Sequence, residues 1–169
     1  MSKKIYQFLD LQGVRYIKHD HPAVFTCEQA AEHCAELSAT NTKNLFLRDR
    51  KGKRHFLVVT DHEKAVDLKA LGERLETKLS FGSADRLEKH LGVEPGSVTL
   101  LALVNDPEHR VEVLIDSNIW AAKELACHPL VNTATLEISR AGLRRFLEAT
   151  GHKPEVLDLP SRSFNEDSE

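Results

Sequence analysis

A lysine at the end of an apolar row is the residue of this sequence best placed for chemistry. In the segment Thr-Lys-Asn-Leu-Phe-Leu, residues 42–47, strand alternation puts Lys43 on the same face as Leu45 and Leu47. One interpretation is a lysine whose stem covers apolar surface while its ammonium stays in water. The other is a fixed positive charge at the mouth of a pocket, which binds a phosphate or stabilises negative charge on a reacting carbonyl. The residue pattern alone favours the first interpretation.

Histidines and cysteines are the other candidates, for a metal site or for nucleophilic catalysis. The residues that could converge are His19, His21, His33, Cys34, Cys127 and His128. Neighbours in sequence point in different directions, so each His-Cys pair offers one ligand rather than two, and zinc is the less favoured alternative. The same geometry argues against Cys127 and His128 as a nucleophile and its base. The odd number of cysteines, 3, argues against a disulfide framework and fits a reducing cytosol.

Several frequent catalytic motifs are absent from the sequence. It contains no phosphate-binding G-x-x-x-x-G-K-[ST] loop, no dinucleotide-binding G-x-G-x-x-G turn and no G-x-S-x-G nucleophile elbow. His62-Glu63 begins like a zinc-protease helix, but Val66 stands where the second histidine would be needed. The sequence therefore does not indicate the usual nucleotide-dependent enzymes or serine hydrolases.

Size, composition and charge limit the class of protein. The chain has 169 residues, of which 41% are hydrophobic and 29% charged, as expected for one soluble globular domain. Neither a membrane span nor the apolar core of a signal peptide is present, so we expect a cytoplasmic protein with no membrane partner. The net charge of −3 argues against a protein that coats long nucleic-acid duplexes.

One basic cluster stands out within this acidic chain. Its cations, against the single Asp49, are Lys43, Arg48, Arg50, Lys51, Lys53 and Arg54. The cluster suits a limited contact with a phosphate-bearing ligand, although charge alone favours a solvated hairpin tip.

Capping residues and apolar spacing predict the elements of the first half of the chain. Ile5, Phe8 and Leu9 recur at helical spacing and Gly13 ends that helix, after which residues 14–18 form a strand. Thr26 caps a helix that runs to about residue 37. Residues 45–47 and 56–59 form a hairpin at the sheet centre, and residues 67–91 are helical.

The second half predicts a further hairpin, a strand, a helix and a tail. Residues 98–104 and 111–115 form the hairpin around Asn105-Asp106-Pro107, and residues 133–138 form the strand. Ser139 caps the last helix and Gly151 ends it. These elements predict a single α+β domain whose helices pack on a mixed, largely antiparallel sheet. We expect the acidic tail, residues 158–169, to be disordered.

Six motifs occur together in a fixed order along the chain. They are HPAVFT at 21–26, TKNLFLRD at 42–49, GSVT at 96–99, VND at 104–106, HPLVNTAT at 128–135 and GHKP at 151–154. In these motifs the chain resembles the YbaK/ProX-like aminoacyl-tRNA deacylases, free-standing relatives of the editing domain of bacterial prolyl-tRNA synthetase. Within that family it is most similar to the branch that removes alanine from proline tRNA. The resemblance covers about residues 3–157, and we take residues 1–157 as the domain.

The resemblance implies an α+β fold and hydrolysis of the ester that joins an amino acid to the terminal adenosine of a tRNA. It places the catalytic lysine at Lys43, with Asn44 beside it, and the pocket histidine at His128. Thr99, Leu100 and Leu101 would bind substrate, with loop amides near residues 97–102 holding the ester carbonyl. The residues expected to bind tRNA are Arg48, Arg50, Lys51 and Lys53. No metal or cofactor is implied; the expected partners are the acceptor end of mischarged proline tRNA and prolyl-tRNA synthetase, and the expected state is a monomer.

Two departures from the family pattern leave the amino acid open. Ser38-Ala39 replaces a frequent Pro-Gly, and Leu100-Leu101 replaces a frequent Pro-Phe. These changes concern pocket shape rather than reaction class, so serine, threonine and cysteine remain alternatives to alanine. A module of the same fold that binds the tRNA end without hydrolysis also remains open. We interpret Asn105 and Asp106 as turn residues ahead of Pro107.

Overall fold

The computed structural model describes residues 2–23 and 39–162, which form one mixed sheet with helices packed on it. The strands are β1 (Ile17–Asp20), β2 (Thr40–Arg48), β3 (His55–Asp61), β4 (Ser80–Phe81), β5 (Val111–Asp116), β6 (Glu124–Cys127), β7 (Ala134–Ser139) and β8 (Glu155–Leu157). The α-helices are α1 (Ser2–Leu11), α2 (Leu68–Arg74), α3 (Ala84–Leu91), α4 (Ser117–Trp120) and α5 (Arg140–Thr150). Two 3-10 helices, Pro95–Ser97 and Leu100–Asn105, follow α3.

The sheet has the strand order β1-β7-β6-β2-β3-β5-β8, and β4 pairs separately with β2. The pairs of β1 with β7, β2 with β3, β2 with β4 and β6 with β7 are antiparallel. The pairs of β2 with β6, β3 with β5 and β5 with β8 are parallel. The predicted α+β fold with a mixed sheet is confirmed, and the β2–β3 hairpin lies at its centre as expected.

The two faces of the sheet carry separate apolar clusters. Phe46 of β2 belongs to a cluster with residues of α1, α3 and α5, whereas Leu47 belongs to a cluster with Leu71 of α2. Because successive residues of a strand point to opposite faces, even-numbered residues of β2 lie on the first face and odd-numbered residues on the second. We call these the α1 face and the α2 face.

The helix ends follow the local signals in the sequence. Ser139 Oγ accepts the Gly142 amide at the start of α5, and Gly151 ends that helix with a φ of 83°. The predicted helical region 67–91 divides into α2 and α3, separated by the short strand β4. The predicted helix from Thr26 to about residue 37 lies outside the described residues. None of the helices in the described part of the chain has the length and apolar character needed to cross a membrane.

The predicted hairpin of residues 98–104 with 111–115 is wrong. Residues 111–115 form most of β5, but that strand pairs in parallel with β3, and Leu100–Asn105 is a 3-10 helix. Thr99 Oγ1 accepts the Leu101 amide and so caps this helix, which is buried in the core. A continuous apolar run lacks the alternation that separates a strand from a buried helix, which is why the pattern misled.

The chain remains packed beyond the domain boundary expected at residue 157. Leu159 is buried, the Asp67 amide donates to the Pro160 carbonyl at 2.8 Å, and the Arg162 amide donates to the Ala65 carbonyl at 2.8 Å. Residues 158–162 therefore differ from the expected disordered tail, because their backbone groups find partners beside α2. Residues 163–169 of that tail lie outside the described residues.

Candidate active site

A row of polar residues crosses the α2 face from one strand to the next. Its members are His19 of β1, Thr135 of β7, His128 just after β6, Lys43 of β2, Thr60 of β3 and Asp116 of β5. We call this set the transverse row. It lies where an apolar face would otherwise continue, since Leu45, Leu47 and Val58 on the same face are part of the apolar cluster around α2.

The strand registers bring these residues to the same level of the sheet. His19 is paired with Thr135, and Lys43 is paired with Thr60. The remaining members of the row lie one or two residues beyond the last paired residues of their strands. These are Cys127 with Leu136, Asn41 with Ala126 and Val59 with Ile115. Lys43 and His128 each lie two residues beyond the Asn41–Ala126 pair of parallel strands, which puts them at a similar level of the sheet.

The Lys43 ammonium is a cation of the transverse row that has no partner among the described residues. The side chain is half-buried, and no hydrogen bond or ion pair joins it to another described residue. Its strand neighbour Thr60 is fully buried and donates from Oγ1 to Asp116 Oδ2 at 2.8 Å. A cation held beside a buried hydrogen-bonded pair, with its own charge unmatched by those residues, is suited to receive an anion.

Asp116 is held as a buried carboxylate at one end of the row. Lys64 Nζ donates to Oδ2 at 2.8 Å, alongside Thr60, and the Leu159 amide donates to Oδ1 at 3.3 Å. Burial alone would raise the pKa of Asp116, but the hydrogen bonds from Lys64, Thr60 and Leu159 outweigh it and lower the pKa. This carboxylate is therefore ionised at neutral pH and ties the segment after β8 to the row.

His128 presents a neutral imidazole to the row. Its Nδ1 lies 3.2 Å from the Ala134 carbonyl oxygen, which can only accept, so Nδ1 carries the proton. Burial lowers the pKa of His128, the bond to Ala134 raises it in part, and the nearby His21 lowers it further. The neutral ring then leaves Nε2 with a free lone pair, and no described residue donates to it.

The remaining polar residues at this end of the sheet are tied to one another. His21 Nε2 lies 2.8 Å from Thr135 Oγ1, and the rings of His21 and His128 meet edge to face at 6.5 Å. His19 Nε2 lies 3.0 Å from Glu137 Oε2, and the Ala39 amide donates to Glu137 Oε1 at 3.2 Å. These contacts hold the histidine side of the row in place.

The structure does not bring Asn44 to Lys43. Asn44 is even-numbered and points to the α1 face, where its Oδ1 is buried with no hydrogen-bond partner among the described residues. It can act on the lysine only by fixing the strand that carries it.

Leu100 and Leu101 also lie away from the transverse row. Leu100 and Leu101 belong to the apolar cluster of the α1 face, and Thr99 is fully buried. Two amides of the loop expected to hold the ester carbonyl are already bonded, since Leu101 N donates to Thr99 Oγ1 and Ala102 N donates to the Thr99 carbonyl.

The basic cluster forms the tip of the β2–β3 hairpin. Asp49 Oδ1 accepts the amides of Lys53 and Arg54 and so shapes the turn. Arg54 is paired with Glu112 through two hydrogen bonds of 2.9 Å, which leaves Arg50, Lys51 and Lys53 as the exposed cations of the tip. Arg48 ends β2, five residues from Lys43, so about 16 Å of strand separates this tip from the transverse row.

Several members of the site were not identified from the sequence. Thr60, Asp116 and Thr135 each interrupt or border an apolar strand, and a polar residue at the same level of neighbouring strands was the available signal. Strand order and register were needed to recognise it. The lone described cysteine, Cys127, is buried on the α1 face, and burial raises the pKa of its thiol to about 12, which does not suit a nucleophile. Within residues 2–23 and 39–162, no three His, Cys, Asp or Glu side chains converge as metal ligands would.

Comparison with known proteins gives this site a family context. Residues 21–146 match the model of the aminoacyl-tRNA editing domain. The prolyl-tRNA editing protein ProX of Acetoanaerobium sticklandii is 38% identical over 152 residues, covering 89% of this chain and 93% of that protein. Prolyl-tRNA synthetase associated domain-containing protein 1 of Danio rerio is 38% identical over 162 residues, covering 94% and 88%.

A solved structure shares the fold. The crystal structure of hypothetical protein APE2540 superposes with a TM-score of 0.71 at 20% identity, covering 92% of this chain and 98% of that one. The match to the family model includes every member of the transverse row except His19, and both relatives align over most of their length. The chain therefore belongs to the aminoacyl-tRNA editing domain family.

Proposed function

We propose that this protein hydrolyses the ester between a mischarged amino acid, alanine, and the 3′ end of proline tRNA. The observation that supports the proposal is that Lys43 and His128 follow paired parallel strands, each two residues beyond the Asn41–Ala126 pair. The pair offers a cation and a neutral acceptor, which are the groups that an aminoacyl ester needs from a protein. The ProX-like relative supports the same class of substrate.

The reaction itself requires little from the protein. A water molecule adds to the ester carbonyl, the bond from the acyl carbon to the ribose oxygen breaks, and the proton of the water passes to that oxygen. An aminoacyl ester is already reactive, so placing the water and stabilising the developing negative charge are the main contributions. A covalent nucleophile is not required.

Lys43 supplies the positive charge in this proposal. Its ammonium either stabilises the developing oxyanion or holds the terminal adenosine through its phosphate, and it is available because no described residue neutralises it. Asn44, on the opposite face, contributes only by holding β2. Leu100 and Leu101 contribute by packing in the apolar cluster of the α1 face, and Thr99 by capping their helix, rather than by contact with the ester.

His128 supplies the acceptor for the amino acid. Its unprotonated Nε2 can accept a hydrogen bond from the α-ammonium group of the substrate, which sets how the small side chain is oriented in the pocket. A small pocket then excludes proline by steric clash, whereas a residue smaller than alanine cannot be rejected in that way. His128 therefore affects the choice of amino acid more than the rate.

A deacylation panel tests the proposal. Alanyl-, seryl-, threonyl-, cysteinyl- and prolyl-tRNA are each incubated with the protein, and loss of the amino acid is followed over time. We expect hydrolysis of the alanyl ester and sparing of the prolyl ester. Preference for serine, threonine or cysteine would change the substrate but keep the reaction, whereas no cleavage of any ester would favour a module that binds the tRNA end without hydrolysis. Prolyl-tRNA synthetase as a partner and a monomeric state are further parts of this proposal.

A further inference from the structure

Two lysines at one end of the transverse row differ in whether they have an anionic partner. Lys64 Nζ lies 2.8 Å from Asp116 Oδ2, and the two side chains are 22% and 2% exposed. Lys43 has no hydrogen bond or ion pair with any residue that the structure describes. The buried carboxylate of Asp116 is therefore neutralised by Lys64 and not by Lys43.

Lys43 is nevertheless within reach of the same carboxylate. Thr60 is paired with Lys43 across β2 and β3, and its Oγ1 donates to Asp116 Oδ2 at 2.8 Å. Because neighbouring strands lie about 4.8 Å apart, β2 and β5 are separated by about 10 Å, with β3 between them. A lysine side chain extends about 6 Å from its Cα atom and an aspartate about 3.5 Å, so the two can meet above Thr60 at hydrogen-bond distance.

The Asp116 carboxylate depends on Lys64 for a positive charge. Its Oδ2 accepts from Lys64 and Thr60, and its Oδ1 accepts the Leu159 amide at 3.3 Å. The hydroxyl and the amide are neutral, so in the described part of the chain Lys64 is the one cation hydrogen-bonded to this carboxylate. A buried charge that loses its partner is strongly destabilised. Without Lys64, Asp116 would therefore attract the unmatched ammonium of Lys43.

A tight turn after β3 places Lys64. The Lys64 amide donates to the Asp61 carbonyl at 3.1 Å, and the Glu63 amide donates to Asp61 Oδ1 at 2.9 Å. These two bonds reverse the chain directly after Thr60, which lets the Lys64 side chain return to Asp116. The position of this cation is thus set by the end of the strand that pairs with the Lys43 strand.

We propose that Lys64 is a positioning residue that occupies Asp116 and so keeps the Lys43 ammonium available to the substrate. Lys64 touches neither the ester nor the tRNA in this scheme and acts through Asp116. The inference rests on the proposed function, because it is the unpaired Lys43 ammonium that stabilises the oxyanion or holds the terminal phosphate.

The first measurement does not depend on hydrolysis. Acetylation of Lys43 by a succinimidyl ester is followed by mass spectrometry at one fixed pH for the parent, Lys64→Met, Lys64→Arg and the double variant Lys64→Met/Asp116→Asn. An ion pair with a carboxylate lowers the fraction of free amine, so we expect Lys43 to react about tenfold more slowly in Lys64→Met. The double variant lacks the carboxylate and Lys64→Arg still pairs with it, so both should react within about twofold of the parent.

Lys69, at an exposed position of α2, supplies the controls. Its own acetylation rate should be the same in every protein and serves as the internal reference, and Lys69→Met should leave the Lys43 rate unchanged. Thermal melting of each variant reports whether the fold is intact. If Lys64→Met does not fold, Lys64→Gln takes its place, because glutamine is uncharged but can still donate to Asp116.

Deacylation of alanyl-tRNA is the second measurement, and its rate should follow the same order as acetylation. An acetylation rate of Lys43 in Lys64→Met that equals the parental rate, or one that stays low in the double variant, overturns the inference. If the acetylation rates follow the expected order while no protein hydrolyses any ester of the panel, the proposed function fails, whereas the role of Lys64 in keeping Lys43 unpaired stands.

Discussion

Two polar clusters in this protein differ in whether their groups are satisfied from within. Asp106 Oδ2 lies 2.9 Å from His152 Nε2, and both side chains are almost fully buried. His152 Nδ1 lies 2.8 Å from Thr150 Oγ1, while Asp106 accepts the amides of Arg110 and Val111 at 3.0 and 2.9 Å. We call this the Asp106–His152 cluster. The transverse row, by contrast, leaves the Lys43 ammonium and His128 Nε2 without a partner among the described residues.

The difference separates a structural role from a functional one. Both clusters come from motifs that carried the family resemblance, but the sequence analysis assigned Lys43 and His128 to the site and Asp106 to a turn. In the Asp106–His152 cluster every buried polar group is hydrogen-bonded, and these bonds join the turn before β5 to the end of α5. The cluster therefore has no free polar group to bind a ligand. The sequence interpretation of Asp106 as a turn residue agrees with these contacts. In the transverse row, the Lys43 ammonium and His128 Nε2 lack partners among the described residues, and a substrate can supply those partners.

The largest expected effect is a loss of protein stability when the Asp106–His152 cluster is changed. Asp106→Ala removes the acceptor of two amides and leaves His152 buried without its partner, so we expect a loss of about 3–5 kcal/mol in the free energy of unfolding. Denaturant unfolding measures this value. Below the melting temperature the variant should deacylate at the parental rate, and a large loss of activity in a fully folded variant would contradict the distinction between the clusters.

A change in the transverse row should reduce activity without reducing stability. Lys43→Ala should reduce the rate of deacylation by about 100-fold or more, because it removes charge stabilisation or the grip on the terminal adenosine. Single-turnover kinetics with alanyl-tRNA measures the rate, and Lys69→Ala, at an exposed position of α2, is the matched control. The melting temperature should stay near the parental value. Full activity in Lys43→Ala would return this residue to a lysine that only covers apolar surface.

A smaller effect is expected at His128. His128→Ala should change the ratio of alanyl to seryl ester hydrolysis by about tenfold, with less effect on the rate for alanyl-tRNA itself. Because burial lowers the pKa of His128, the neutral ring should prevail from about pH 7 to 8 and selectivity should be constant there. Protonation at more acidic pH puts a cation against the substrate ammonium, so selectivity should fall on the acid side. A pH profile of the ratio that is the same in His128→Ala and the parent would exclude this role.

The smallest effect concerns the hairpin tip, which lies away from both clusters. If the tip contacts only a few phosphates, log affinity for tRNA should fall with log salt at a slope of about −2 to −4. Neutralising Arg50, Lys51 and Lys53 together as glutamines should flatten that slope, whereas Lys153→Gln, elsewhere on the surface, should not. The rate at saturating tRNA should be unchanged. A slope near about −8, or a triple variant with the parental salt dependence, would place the tRNA on another surface.

Local sequence signals predicted the elements that depend on a few neighbouring residues. The cap of Ser139, the stop at Gly151 and the alternation around Lys43 each act within one or two turns or strand residues, and the structure has them where expected. The 3-10 helix Leu100–Asn105 was missed because its uniform apolar run contains no period. The packing of Leu159 was missed because one buried residue in a polar tail gives no periodic signal.

The candidate site was only partly predictable for a related reason. Lys43 and His128 could be named from their motifs, but Thr60, Asp116 and Thr135 acquire meaning only as their neighbours across the sheet. Leu100 and Leu101 were expected at the substrate because they stand in a family motif, and the structure buries them beneath the opposite face. A motif identifies a residue but not the direction in which its side chain points.

By itself, the sequence determined the family, the hairpin that carries Lys43 and the helix ends, because motifs, alternation and caps are written within short segments. Only the tertiary structure decided that six strands, each with one polar residue in it or directly after it, align these residues into a row. Register between distant strands depends on burying the two faces of the whole sheet at once, and a shift of one residue would turn each side chain to the other face. No short segment contains that information.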